Sequence, residues 1–187
     1  GGRLSRTGRW LRDLSEGGRY DTILDVAEVA GTTPHSLLVD PAVLLSISRL
    51  TIGNPPRSLH PDPSIPDQQP TEDPEPSESA DGAGGGPIAT LPPTPDDDLD
   101  EKQLELASAA RVWMARFLEI ARVRDVLTLP FGDLDINAAS RIDSTRYTEA
   151  TARSLQVLTA LGLPYQPALA PTEGLLRPEA LAIADPA

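Results

Sequence analysis

The chain has 187 residues, with twenty prolines, fourteen glycines and 4% aromatic side chains, a composition that predicts a folded domain interrupted by sequence too polar to fold. Its net charge of −12 lies almost wholly between Asn54 and Glu101, where twelve acids stand against one arginine. The rest is nearly neutral, so the acidity marks a linker, and nothing resembles the basic footprint of a nucleic-acid-binding protein. There is no cysteine, which excludes disulfides, thiol catalysis and thiolate metal sites.

The opening "GGRLSRTGRW" does not read as a translation start, and the one methionine is Met114, so the sequence is expected to be an excised or incomplete piece with any signal peptide upstream of Gly1. No run approaches the roughly 20 apolar residues of a membrane span, and the piece is expected to be soluble. "YDTILDVAEVAG" predicts a helix with Ile23, Val26, Ala27 and Ala30 on its apolar face and Gly31 as its stop. "HSLLVDP" predicts a short strand. Asp40 can cap the helix that follows, "PAVLLSISRL", with Pro41 at its first position.

From Gly53 to Asp98 the chain holds twelve of its prolines and few large apolar residues, too few to offset the entropy of ordering, so a long disordered acidic insertion is expected there. The glycines Gly82 to Gly86 lack the flanking strand, helix and Lys-Ser/Thr of a phosphate loop and read as spacer. Next comes the strongest helix, with Leu106, Ala110, Trp113, Phe117 and Ile120 in one stripe; Met114 also belongs to packing. Asp98, Asp100 and Glu101 suit the positive end of that helix, and Arg122 and Arg124 its negative end. "DVLTLP" predicts a second strand and "FGDLDINAAS" a turn into a short helix. Ser144 is a candidate N-cap for a further helix with Tyr147, Thr151, Leu155 and Leu158 on one face and Gly162 at its end. "YQPALAP" is a weaker third strand, and "RPEALAIA" a closing helix.

This alternation predicts an α/β fold with parallel strands, either a partial (β/α) barrel or an open parallel sheet, since three strands cannot close a barrel. Residues 1–52 form its first βα part, 53–98 the linker, and 99–187 a second, incomplete βα part of the same domain. All three strands end in a proline and an acid, which places Asp40, Asp133, Asp135 and Glu173 on one rim if the strands are neighbours. Carboxylates converging there could serve as general acid and base on a glycoside, or hold a cation or sugar hydroxyls. Each also has a plainer reading: Asp40 as a helix cap, Asp133 as a turn or cap residue, Asp135 as a solvated first-turn acid, and Glu173 as part of a "PTEG" turn. His35 lies at the opposite end of its strand and His60 in the linker, so no histidine-carboxylate metal set can be assembled, and neither metal nor cofactor is expected.

"GGRLSRTGRWLRDL", "SLLVDPAVLL", "ARVWMARF" with "VLTLPFGDLDINAAS", and "ALAPTEGLLRPEALA" resemble successive landmarks of an uncharacterised family of secreted, membrane-anchored cell-envelope proteins from high-GC Gram-positive bacteria. The resemblance spans nearly all of the chain except the acidic linker. It implies a TIM-barrel-like domain similar to those of glycoside hydrolases and deacetylases, outside the membrane, followed by β-rich segments and a membrane helix not in this chain. Leu134 stands where the family often has proline, and Glu173 where aspartate is usual; both changes keep an acid on the rim. The histidines of the deacetylase metal triad are missing. The reading is therefore an extracytoplasmic domain without catalysis, binding cell-wall glycan or an envelope membrane protein and touching the membrane only through segments outside this chain. The alternative is a glycan-acting hydrolase that uses the strand-end carboxylates.

Overall fold

A computed structural model describes residues 2–56, 99–171 and 174–184. The expected insertion from residue 57 onward, His60, Gly82 to Gly86 and Glu173 lie outside the described residues. In chain order the elements are α1 (Thr7–Leu14), α2 (Arg19–Val29), β1 (Ser36–Val39), α3 (Pro41–Thr51), α4 (Glu101–Ala121), β2 (Asp125–Thr128), α5 (Ile136–Ile142), α6 (Thr145–Ala160), β3 (Gln166–Pro167) and α7 (Pro178–Ala184). The strands form one open parallel sheet in the order β1-β2-β3, and the described residues close no barrel.

Alternation along the strands decides what the sheet buries. Leu37, Val39 and Val126 point into the core with the helices, while Leu38, paired in register with Leu127, faces the other way and is 54% exposed. Helix α3 buries Pro41, Leu44, Ile47 and Leu50, one residue per turn. It packs on α4, whose expected stripe of Leu106, Ala110, Trp113, Phe117 and Ile120 is buried in full. Trp113 stacks on Phe117 at 5.3 Å and meets Tyr20 edge-on at 6.1 Å, an arrangement that aromatic quadrupoles favour. A reciprocal cap fixes the start of α4: Asp100 accepts from the amide of Gln103, whose side chain accepts from the amide of Asp100.

Helix α2 forms as expected but turns only part of its expected face inward. Ala27 is buried and Ala30 half-buried, whereas Ile23 and Val26 are 50% and 66% exposed and Asp21 and Leu24 are buried in their place. The cause is charge. Asp21, Asp25 and Glu28 recur at helical spacing, and all three bind Arg116 of α4: Asp21 at 2.5 Å, Asp25 at 2.8 Å and Glu28 through both its oxygens at 3.0 Å. Docking that acidic stripe on α4 rotates Ile23 and Val26 outward. The same acids hold the Arg116 guanidinium more firmly protonated than an ordinary arginine, chiefly through the Glu28 and Asp25 hydrogen bonds.

Two further corrections concern α6. Ser144 makes no cap hydrogen bond; Asp143 does so instead, accepting from the Thr145 amide at 3.1 Å and its hydroxyl at 2.5 Å. The deepest residues of α6 are Ser154, Val157 and Leu158, with Tyr147, Thr151 and Leu155 half-buried. Ser154 draws that face inward because its hydroxyl donates to the Leu129 carbonyl at 2.9 Å, at the end of β2. Gly162 ends the helix at φ 66°, and the Leu163 amide reaches back to the Leu158 carbonyl at 3.1 Å.

The first part of the chain extends through its composition boundary. Gly53 and Asn54 are buried. The Asn54 side chain accepts from the Leu4 amide at 2.9 Å and donates to the Leu4 carbonyl at 3.0 Å, pinning the segment before α1 to the end of α3.

Candidate functional site

The strand ends are built by two successive connections. Beyond β2 the Leu129 amide donates to the Val39 carbonyl at 2.9 Å, which extends the pairing of β1 and β2 up to the rim. The chain then turns through Pro130 to Asp133, closed by the Asp133 amide on the Pro130 carbonyl at 2.9 Å. Gly132 and Asp133 are consecutive left-handed residues at φ 77° and 51°. A β-carbon at Gly132 would meet nothing, so the backbone angle, not lack of space, asks for glycine here. Arg153 of α6 lies over the Phe131 ring at 5.4 Å and covers the turn from one side.

Asp40 joins the first two strand ends. Its Oδ1 accepts from the Ala42 amide in the first turn of α3 and from the Gly132 amide across the rim, each at 2.9 Å. Asp135, read from sequence as a first-turn acid, is instead the N-cap of α5: its Oδ1 accepts from the amides of Asn137 at 2.9 Å and Ala138 at 3.2 Å. Asp133 is exposed, and its carboxylate makes no hydrogen bond among the described residues. Of the described candidates, two are thus committed to backbone amides and one is uncommitted. His35 sits at the far end of β1, hydrogen-bonded through Nδ1 to the Thr33 carbonyl at 2.9 Å. Among the described residues no group of three or more histidines and carboxylates is placed to hold a metal ion.

The sequence reading missed Asn137. Its side chain donates to the Leu175 carbonyl at 2.9 Å and accepts from the Arg177 amide at 3.0 Å, tying the segment after β3 to α5 beside the rim. No local pattern marks such a residue, because both its partners lie about 40 positions away. It missed a second feature as well. Two cavities among the described residues lie away from the strand ends: one of about 250 Å³ at the start of α4, bordered by Leu4, Leu50, Asn54 and Leu106, and one of about 340 Å³ between α1 and α2, bordered by Arg6, Arg9, Trp10, Asp13, Arg19 and Tyr20. The run of five arginines from Arg3 to Arg19 was the available signal for the latter. No helix among the described residues is long and apolar enough to cross a membrane. No family model matches this chain, and neither a characterised protein nor a solved structure is significantly similar to it.

Proposed function

We propose that this chain is a non-catalytic binding domain of a membrane-anchored cell-envelope protein, part of a barrel-like domain that works outside the cytoplasm and holds cell-wall glycan or an envelope partner. One observation carries the non-catalytic reading: Asp40 and Asp135, two of the acids a hydrolase would need, both accept hydrogen bonds from helix amides. Turning either towards a substrate would forfeit charge-assisted bonds at a helix N-terminus, each stronger than a neutral one. The envelope location rests on the sequence resemblance. The exposed, uncommitted carboxylate of Asp133 supports the alternative, a glycan-acting hydrolase, for which a second carboxyl about 5 to 10 Å away would be required.

The test is binding of the complete ectodomain to a panel of cell-wall and capsular glycans, with product analysis and an Asp133→Asn/Asp135→Asn double variant alongside. Asparagine caps helices about as well as aspartate, so the variant keeps its fold. The expected result is binding without cleavage, unchanged in the variant. Turnover that disappears in the variant would replace this reading with the hydrolase.

A further inference from the structure

The cavity between α1 and α2 has a composition unlike the rest of the molecule. Residues 3–19 hold five arginines against two acids, in a chain that is otherwise neutral or acidic. The average over the chain conceals this excess. Charges screen one another over about 8 Å at physiological salt, so a ligand at this surface responds to the local arginines rather than to the total of −12.

Arg6, Arg9 and Arg19 line the cavity of about 340 Å³, together with Trp10, Tyr20, Ser5 and one acid, Asp13, so three guanidinium groups face a single carboxylate. Trp10 and Tyr20 stack at 5.9 Å with 17° between their planes, and both are half-buried, so an aromatic pair borders the otherwise polar cavity. Arg19 lies over the Tyr20 ring at 5.9 Å. Neither Arg6 nor Arg19 has a carboxylate partner among the described residues, and Arg9 reaches Asp13 only at 3.4 Å. Arg6 is held at φ 57° and ψ 40°, a left-handed conformation that disfavours a residue with a β-carbon. It is also the N-cap of α1 and makes no side-chain cap bond, so the positive end of that helix adds to the same cavity. Guanidinium forks match carboxylate and phosphate geometry, and an adjoining aromatic wall suits the flat face of a ring. The volume is at the small end of ligand sites, which run from about 300 to 1,000 Å³, and fits one or two rings rather than a long polymer groove.

We infer that this cleft binds an anionic sugar unit, its carboxylate or phosphate held by Arg6, Arg9 and Arg19 and its ring laid against Trp10 and Tyr20. This rests on the glycan-binding reading and names the ligand class and the site. The cleft lies on the helical side, away from Asp133, so occupation of one does not require the other.

The experiment titrates the full chain with a hyaluronan tetrasaccharide, which carries glucuronate, with glucose 6-phosphate, and with neutral cellotetraose, following the Trp10 indole and arginine Nε resonances by NMR and the affinity by calorimetry. Arg6→Gly and Arg19→Gln are run alongside. Glycine suits the left-handed angle at position 6, so loss of binding there reports the guanidinium and not misfolding. The expected result is anion-dependent binding that shifts Trp10 and weakens about tenfold or more in each variant, as for loss of a hydrogen bond to a charged group. A response to the tetrasaccharide alone assigns a uronate, and one to glucose 6-phosphate alone assigns a phosphate. Equal binding of cellotetraose, anion binding unchanged in Arg6→Gly and Arg19→Gln, or no binding of either anion would overturn the inference. Should the variants bind a panel glycan as well as the parent chain does, the cleft is wrong and the glycan-binding function stands. Should no panel glycan bind while glucose 6-phosphate shifts Trp10 in an Arg6-dependent way, the cleft stands and the envelope function falls.

Discussion

Asp40 and Asp133 lie on the same rim with opposite backbone situations, and they separate the two readings of the strand ends. Asp40 holds two amides from two elements, whereas Asp133 holds none and sits at φ 51°. Asp40→Ala is therefore expected to lower the unfolding free energy by about 1 to 2 kcal/mol, the range for loss of an N-cap. Asp133→Gly is expected to raise it by up to about 1 kcal/mol, because glycine adopts the left-handed angle without strain. Urea unfolding of both variants checks the pair, and a destabilised Asp133→Gly would mean that its carboxylate has a structural partner after all. Asp143 offers a test by pH. Its carboxyl is held below the ordinary 3.8, first by the Thr145 hydroxyl and then by the Thr145 amide. A carboxyl with a depressed folded-state pKa stabilises the fold above the ordinary value, and that stabilisation is lost as pH falls through the depressed value. An NMR titration should place its midpoint below 3.8 in the parent chain and closer to 3.8 in Thr145→Val; equal midpoints would remove the hydroxyl from the account.

Among the elements, α4 organises the fold. Its stripe meets α1, α2 and α3, and Trp113 at 5% exposure packs between Tyr20 and Phe117. Trp113→Ala should cost about 3 to 5 kcal/mol by chemical denaturation, the usual range for emptying an aromatic core site. A loss under about 1 kcal/mol would mean that the cavity closes or that the helix is loosely held. Helix α1 shows the converse. At eight residues, with an interior glycine and no side-chain cap, it is too short to be stable alone and forms because Trp10, Leu11 and Leu14 pack against the core that α4 builds. The sequence reading assigned no helix there. For α2 the apolar spacing of Ile23, Val26, Ala27 and Ala30 suggested one face; Ala27 is buried as that spacing asks, but the acidic spacing of Asp21, Asp25 and Glu28, invisible as a packing signal until Arg116 arrives from α4, turned Ile23 and Val26 outward.

At the scale of the molecule, a parallel sheet normally has both faces covered, and here Leu38 is open on the face away from the helices. That is the feature of the fold that best suits the barrel-like proposal, in which further strands would fill the same side. The insertion between α3 and α4 is the other global feature. A β-carbon on Gly53 would lie 2.5 Å from the Leu99 side chain, so the chain leaves and re-enters the fold at adjacent points. Replacing residues 57–98 with a short glycine-serine bridge should keep cooperative unfolding and, by shortening the connection between α3 and α4, raise stability by about 1 to 2 kcal/mol. A marked loss measured by calorimetry would show that those residues contribute to the core.

Sequence alone determined which segments become helices and strands wherever spacing, caps and breakers agreed: the α4 stripe, Asp40 before Pro41, Gly31 and Gly162 as stops, and three strands in parallel order. These are local properties, set by side chains within a turn or two of one another. Tertiary structure decided which face each element buries, which carboxylates remain uncommitted and where charge collects. Those outcomes depend on partners distant in sequence, such as Arg116 for α2, Gly132 for Asp40, Leu129 for Ser154 and the meeting of α1 with α2 for the arginine cleft.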